Sequence, residues 1–185
     1  MPKETQLADF WKLLEEYKRL VWWSLGSSAV PIAAALASLT PAWPSGVAGV
    51  TAVAQLLATV FAFQMLKSSR KRIVTRFMVR GALVLCLLFS IYLLLIALFN
   101  YTEPQSKVRY TKGFECTQEA LLVFGSKCPF LGLDEIAKAN YEEERMWTSP
   151  SVSIMKVFIV VMWLACFVTL SVILASFIIF QTGQR

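Results

Sequence analysis

Four long apolar runs decide what this chain can become: residues 21–40, 47–66, 77–99 and 157–180. Each comes close to the ~20 residues that a helix rising ~1.5 Å per residue needs to cross a ~30 Å hydrocarbon layer. None alternates with a period of two, and all are too long for barrel strands, so the backbone must satisfy its hydrogen bonds internally as helix. The expected fold is therefore an all-α integral membrane protein with four transmembrane helices. Composition agrees: the 185 residues are 57% hydrophobic and 16% charged, against roughly 45–50% and 25% for a soluble domain. The first run is not expected to be a removable signal peptide, because the structured stretch DFWKLLEEYKRL precedes it and no convincing A-x-A-type site follows.

Orientation follows from the cations. Lys3, Lys12, Lys18 and Arg19 precede the first run, and Lys67, Arg70, Lys71, Arg72, Arg76 and Arg80 cluster between the second and third, while Arg185 ends the chain. These lie on one side if both termini are cytosolic, which the positive-inside rule favours. The expected map is a cytosolic amphipathic helix at 1–20, three spans within 21–99 joined on the inside by a basic loop at 67–76, an extracytoplasmic cap at 100–153, and the fourth span with a short cytosolic tail at 154–185. Trp22 and Trp23 at one interface, and Trp43, Tyr101 and Trp147 at the other, are candidate aromatic anchors.

The cap holds Cys116 and Cys128, whereas Cys86 and Cys166 fall inside apolar runs. An oxidising compartment lets the outer pair form a disulfide. A redox-active pair is the rival reading; the absence of any C-x-x-C, and of cysteine in the first outer connection, favours a structural staple. Between the cysteines, TQEALLVFG reads as a short helix with Ala120, Leu121, Val123 and Phe124 on its apolar side and Gly125 as its stop. DEIAKANYEEERMW reads as a second helix, with Asp134 as N-cap and Ile136, Ala139 or Asn140, and Glu143 along one face. Ser149 and Pro150 suit the start of the last span. The cap should be small, helical and disulfide-pinned. Glu142, Glu143 and Glu144 diverge on a helix, so a solvated face is favoured over a cation site. The sequon at Asn100 lies too near the membrane to carry weight.

Within the spans the informative residues are small and polar. Thr51, Gln55 and Thr59 recur every four residues beside Ala54, Ala58 and Ala62, and Ala29, Ala33 and Ala37 repeat the spacing in the first run. Such ridges let helices approach closely and bridge through hydroxyl or amide groups. Close packing, including packing between copies in a homo-oligomer, is one reading of them; a polar stripe lining an oligomeric pore is the other, since a mid-membrane Gln is costly against lipid. The third and fourth runs are bulkier and read as peripheral or lipid-facing, and Pro31 is expected to kink the first.

No span carries an acid or base near its centre, and the chain has no histidine. Buried ionisable relays and converging catalytic or metal-binding groups are therefore not expected, and neither an enzyme, a proton pump nor a cofactor is anticipated. What the inner side offers is the amphipathic segment 7–20 and a basic cluster in which Arg72, Arg76 and Arg80 share one helical face, with Arg70 and Lys71 at its tip. Anionic lipid explains part of that charge. The regular ridge also suits an acidic partner protein.

Four spans with both termini inside, a compact disulfide-capable outer loop and a basic cytosolic face together resemble the KwaA family of membrane subunits from bacterial Kiwa antiphage defence systems. The resemblance covers the whole architecture and rests on no diagnostic motif. It implies an oligomer of the bacterial inner (cell) membrane, expected here as a tetramer, that senses phage-induced events at the envelope and holds a DNA-binding, KwaB-like cytosolic effector, with no direct nucleic-acid contact of its own. The small-residue ridges, the stapled cap and the arginine ridge would then serve assembly, sensing and docking. An ion channel or membrane-disrupting effector built from the chain's own oligomer is the alternative.

Overall fold

The computed structural model describes residue 26 and residues 30–36, 39–66, 71–104 and 107–182. The segment 7–20, half of the first apolar run including Ala29 and Ala37, and Arg70 lie outside the described residues. The chain is mostly helical. Residues 30–36 are helical, followed by α1 (Val47–Leu66), α2 (Lys71–Phe99), the strands β1 (Asn100–Thr102) and β2 (Arg109–Thr111), three short helices α3 (Gln118–Phe124), α4 (Leu133–Lys138) and α5 (Glu143–Met146), and the long α6 (Ser149–Thr182). Three of these, α1, α2 and α6, are long and apolar enough to cross a membrane.

Helix α6 is the centre of the described bundle, packing on both α1 and α2. This corrects the expectation that the fourth run is peripheral. Its sequence is apolar all round, so composition alone does not single out a contact face. The face is set by Met155, Ile159, Trp163, Cys166 and Phe167, which bury together with Val47 and Tyr92, and farther along by Ser171, Ala175 and Ser176. Small residues in this second half allow close approach. Gly81 of α2 shows how close: a Cβ there would stand 2.9 Å from Ile173 Cγ1.

Helix α2 begins at Lys71, so residues 71–76 are helix and not part of a loop over 67–76. Its 29 residues make a rod of about 43 Å, longer than a ~30 Å hydrocarbon layer. Val74, between the cations, is buried.

The segment between α2 and α6 forms a second core from Tyr101, Cys116, Ala120, Leu131, Ile136, Met146 and Trp147, joined by Val152 of α6. It is not purely helical. Antiparallel strands β1 and β2 pair Tyr101 with Tyr110, whose rings stack at 5.5 Å. Tyr101 and Trp147 are thus core residues of the cap instead of interfacial anchors; the Trp147 indole donates to Pro129 O at 3.1 Å. Helix α3 starts as expected, with Thr117 Oγ1 accepting from Ala120 N at 3.2 Å, and it stops at Gly125, where φ is +52°. Of its expected apolar side only Ala120 is buried and Phe124 partly so, while Leu121 and Val123 face outward. The expected second helix is broken in two. Asn140 and Tyr141 both adopt positive φ, and the chain leaves helical geometry at Trp147 so that Thr117 N can donate to Met146 O and Thr148 N to Glu115 O. Gly132, not Asp134, occupies the N-cap, which places Asp134 and Glu135 in the first turn of α4. There their charge favours the helix dipole.

Candidate functional site

Three features along the long axis of the molecule carry chemistry. The first is a polar seam between α1 and α6. Thr51, Gln55 and Thr59 are 0%, 0% and 2% exposed, and Ala62 continues the same buried stripe. Ala54 and Ala58, the expected contact ridge, are only half-buried beside it, and Ala33 is exposed. Thr51 Oγ1 donates to Val47 O at 2.7 Å and accepts from Trp163 Nε1 at 2.8 Å. Trp163 lies against Phe167, with centroids 4.4 Å apart, and against Tyr92 at 5.4 Å. The Tyr92 hydroxyl in turn donates to Leu39 O. Sequence reasoning passed over Trp163 and Tyr92. A lone Trp deep in an apolar run was the available signal, because a buried indole N–H needs an acceptor.

The second feature is the cap. Cys116 and Cys128 are bonded, with Cα atoms 6.2 Å apart. The cap is fastened to the rest of the chain through named groups: Arg109 Nη1 and Nη2 donate to Thr40 O and Oγ1 at 3.0 and 3.2 Å, and Lys156 of α6 pairs with Glu143 at 3.0 Å. Lys112 donates to Leu131 O at 2.7 Å, and burial pushes its pKa down. Burial, with the Glu143 carboxylate second, pushes the Tyr101 phenol up. Two surface features stand out. Leu122 and Val123 are 88% and 73% exposed, an apolar edge of the kind that marks contact surfaces more often than isolated exposed residues do. A hollow lined by Tyr110, Glu119, Tyr141, Glu142, Glu144 and Arg145 lies on the cap; within it Glu142 pairs with Arg145, so the acids form a solvated, partly paired face.

The third feature is the basic end of α2. Lys71, Arg72, Arg76 and Arg80 are all exposed, and the three arginines line one shallow hollow with Thr75 and Val79. Every acid in the chain other than Glu4, Asp9, Glu15 and Glu16 lies between 103 and 144. Among the described residues, none of the ion pairs involves this ridge. Counting back from Phe99, Arg80 lies 19 positions away, about 28 Å at the helical rise. If Phe99 marks one edge of a ~30 Å layer, Arg80 sits at the other edge and Arg76 and Arg72 stand about 6 and 12 Å beyond it. The geometry thus brings together the arginines singled out by spacing, joins the two cap cysteines, and buries the polar stripe within one chain. No protein-family model, curated protein or solved structure matches the chain.

Proposed function

We propose that this chain is an oligomeric inner-membrane sensor and scaffold, with both termini cytosolic and four spans, whose cap reads events at the envelope and whose arginine ridge holds a cytosolic effector. The observation that carries this reading is the continuation of α2 past its apolar length as an uninterrupted helix with Arg72, Arg76 and Arg80 exposed along one face. Anchoring to lipid needs positive charge near the headgroups, whereas a ridge extending about 12 Å farther presents guanidinium forks at a depth where carboxylates of a protein partner can be gripped with two bonds each. The exposed edge at Leu122 and Val123 supplies a surface for sensing on the opposite side. In the Kiwa reading the system is antiphage defence and the effector is KwaB-like and DNA-binding. The channel alternative is weakened by the burial of Thr51, Gln55 and Thr59 against α6, which removes them from any pore between copies in this conformation.

The test is co-purification of a cytosolic partner protein with this chain from its native cells, in gentle detergent. Arg72→Glu with Arg76→Glu should abolish retention while leaving the oligomer's size unchanged, because like charges at an interface cost several kcal/mol. Arg72→Lys with Arg76→Lys keeps the charge and loses the fork, and is expected to weaken retention. Full retention by the double Glu variant refutes the docking assignment.

A further inference from the structure

Among the described residues, the buried hydroxyls of α1 and α6 are satisfied inside the chain. Thr59 Oγ1 donates to Gln55 O at 2.8 Å, Ser171 Oγ to Phe167 O at 2.9 Å and Ser176 Oγ to Val172 O at 2.7 Å, in addition to the Thr51 bonds already described. Gln55 is the exception. It is fully buried, and neither Oε1 nor Nε2 has a hydrogen-bond partner. A carboxamide offers two donors and an acceptor with two lone pairs, and leaving all of them unmet in apolar surroundings is heavily penalised. Gln55 lies eight residues beyond Val47, about 12 Å along α1, near the middle of its apolar length.

The surroundings favour a specific remedy. Residues four apart on a helix have Cβ atoms ~5–6 Å from one another, and a water bridging two polar atoms at ordinary hydrogen-bond lengths of ~2.8 Å each spans about the same distance. Thr51 and Thr59 flank Gln55 at that spacing. Each donates its hydroxyl proton to a backbone carbonyl. That leaves lone pairs on both hydroxyl oxygens, one of those on Thr51 already taken by Trp163. We propose that the Gln55 carboxamide is a buried water-binding site between α1 and α6, in which one or two waters bridge it to the Thr51 and Thr59 hydroxyl oxygens. Trp163 and its ring neighbours Tyr92 and Phe167 close the Thr51 end of the site. Water fits this site because it both donates and accepts, matching an amide whose two halves are both unmet, and buried waters of this kind bond about three polar groups.

The full-length chain in lipid bilayers, with glutamine side-chain amides labelled with ¹⁵N, is examined by water-edited solid-state NMR. The Gln55 resonance is identified by its loss in Gln55→Met. In the wild type, Gln55 is expected to receive magnetisation from water with a build-up like that of exposed Gln118, while methyl groups of the buried Ile159 stay dark. No transfer to Gln55 overturns the proposal and leaves the amide dry. A Gln55 shift that appears with potassium or sodium and not with choline also overturns it, in favour of a cation held by the same oxygens.

Discussion

Reducing the Cys116–Cys128 bond should loosen the cap and leave the long helices alone. The bond closes a sequence separation of 12, and the chain-entropy relation gives about 3 kcal/mol at 25 °C for a loop of that length. At ~1.4 kcal/mol per tenfold change, opening of the cap becomes roughly a hundredfold more frequent. Cys116 is part of the core that includes Ala120, Leu131, Ile136, Met146 and Trp147, so replacing it would add a packing loss to the entropic one. Reduction in place is the cleaner perturbation. The assay is amide hydrogen exchange in nanodiscs with and without a phosphine reductant. The probes are the N–H groups that define cap closure, Thr117 to Met146 O and Thr148 to Glu115 O, and Ala120 to Thr117 Oγ1. Their exchange should accelerate by about two orders of magnitude, with amides near Ile159 and Trp163 unchanged. Acceleration of less than about threefold would show that the cap core holds without its staple, and equal acceleration in α6 would show that cap and bundle open as one unit; either refutes the reasoning. Alkylation of the cysteines before reductant is added would refute the bond itself.

Gly113→Ala tests the seating of the cap on α6: the new Cβ would lie 2.2 Å from Ser151 Oγ and 2.8 Å from Trp147 Cβ, and Ser151 is fixed by bonds to Glu115 O and Thr148 O. A loss of about 1–3 kcal/mol is expected, read as a lowered thermal transition, and an unmoved transition contradicts the close approach. Trp163→Phe removes the donor to Thr51 and should cost about 0.5–1.5 kcal/mol in unfolding free energy. In a Thr51→Val background most of that hydrogen-bond cost should vanish, and strict additivity of the two changes would show that no coupling exists.

Three of the four expected spans and the disulfide were legible because hard constraints fix them: lipid admits few backbone solutions, and paired cysteines in a short polar segment have few partners. Helix boundaries were less so. A span boundary at 77 puts Lys71 to Arg76 in a loop, although the spacing of Arg72, Arg76 and Arg80 already implies a helical face there; Ile73 and Val74 continue the helical pattern and Val74 is buried. The central place of α6 was hidden by its uniform apolarity, although Ser171 and Ala175 stand four apart as a small-residue pair would. The break at Asn140 and Tyr141 could not be read from periodicity, since it is imposed by a tertiary demand, the pairing of Cys116 with Trp147 across the cap. Likewise the outward turn of Leu121 and Val123 follows from which face of a seven-residue helix meets the cap core, and that core is assembled from residues far along the chain.

The two ends of the described bundle are held in different ways, and the difference bears on where a partner has most effect. At the cap end, Arg109 binds both the carbonyl and the hydroxyl of Thr40, Tyr92 binds Leu39 O, and Lys156 binds Glu143. These contacts join the cap, the segment before α1, α2 and α6 at neighbouring levels. A guanidinium with two bonds to one residue restrains angle as well as distance, so displacement of β2 carries residues 39–40 with it instead of being absorbed by a slack loop. At the other end, Arg72, Arg76 and Arg80 stand exposed on α2 with like charges four residues apart, a spacing that destabilises a helix by a few tenths of a kcal/mol per pair. A ligand that neutralises them removes that repulsion. Binding at the arginine ridge thus acts on α2 through its charge, while a displacement of the cap is passed on through the bonds of Arg109, Tyr92 and Lys156.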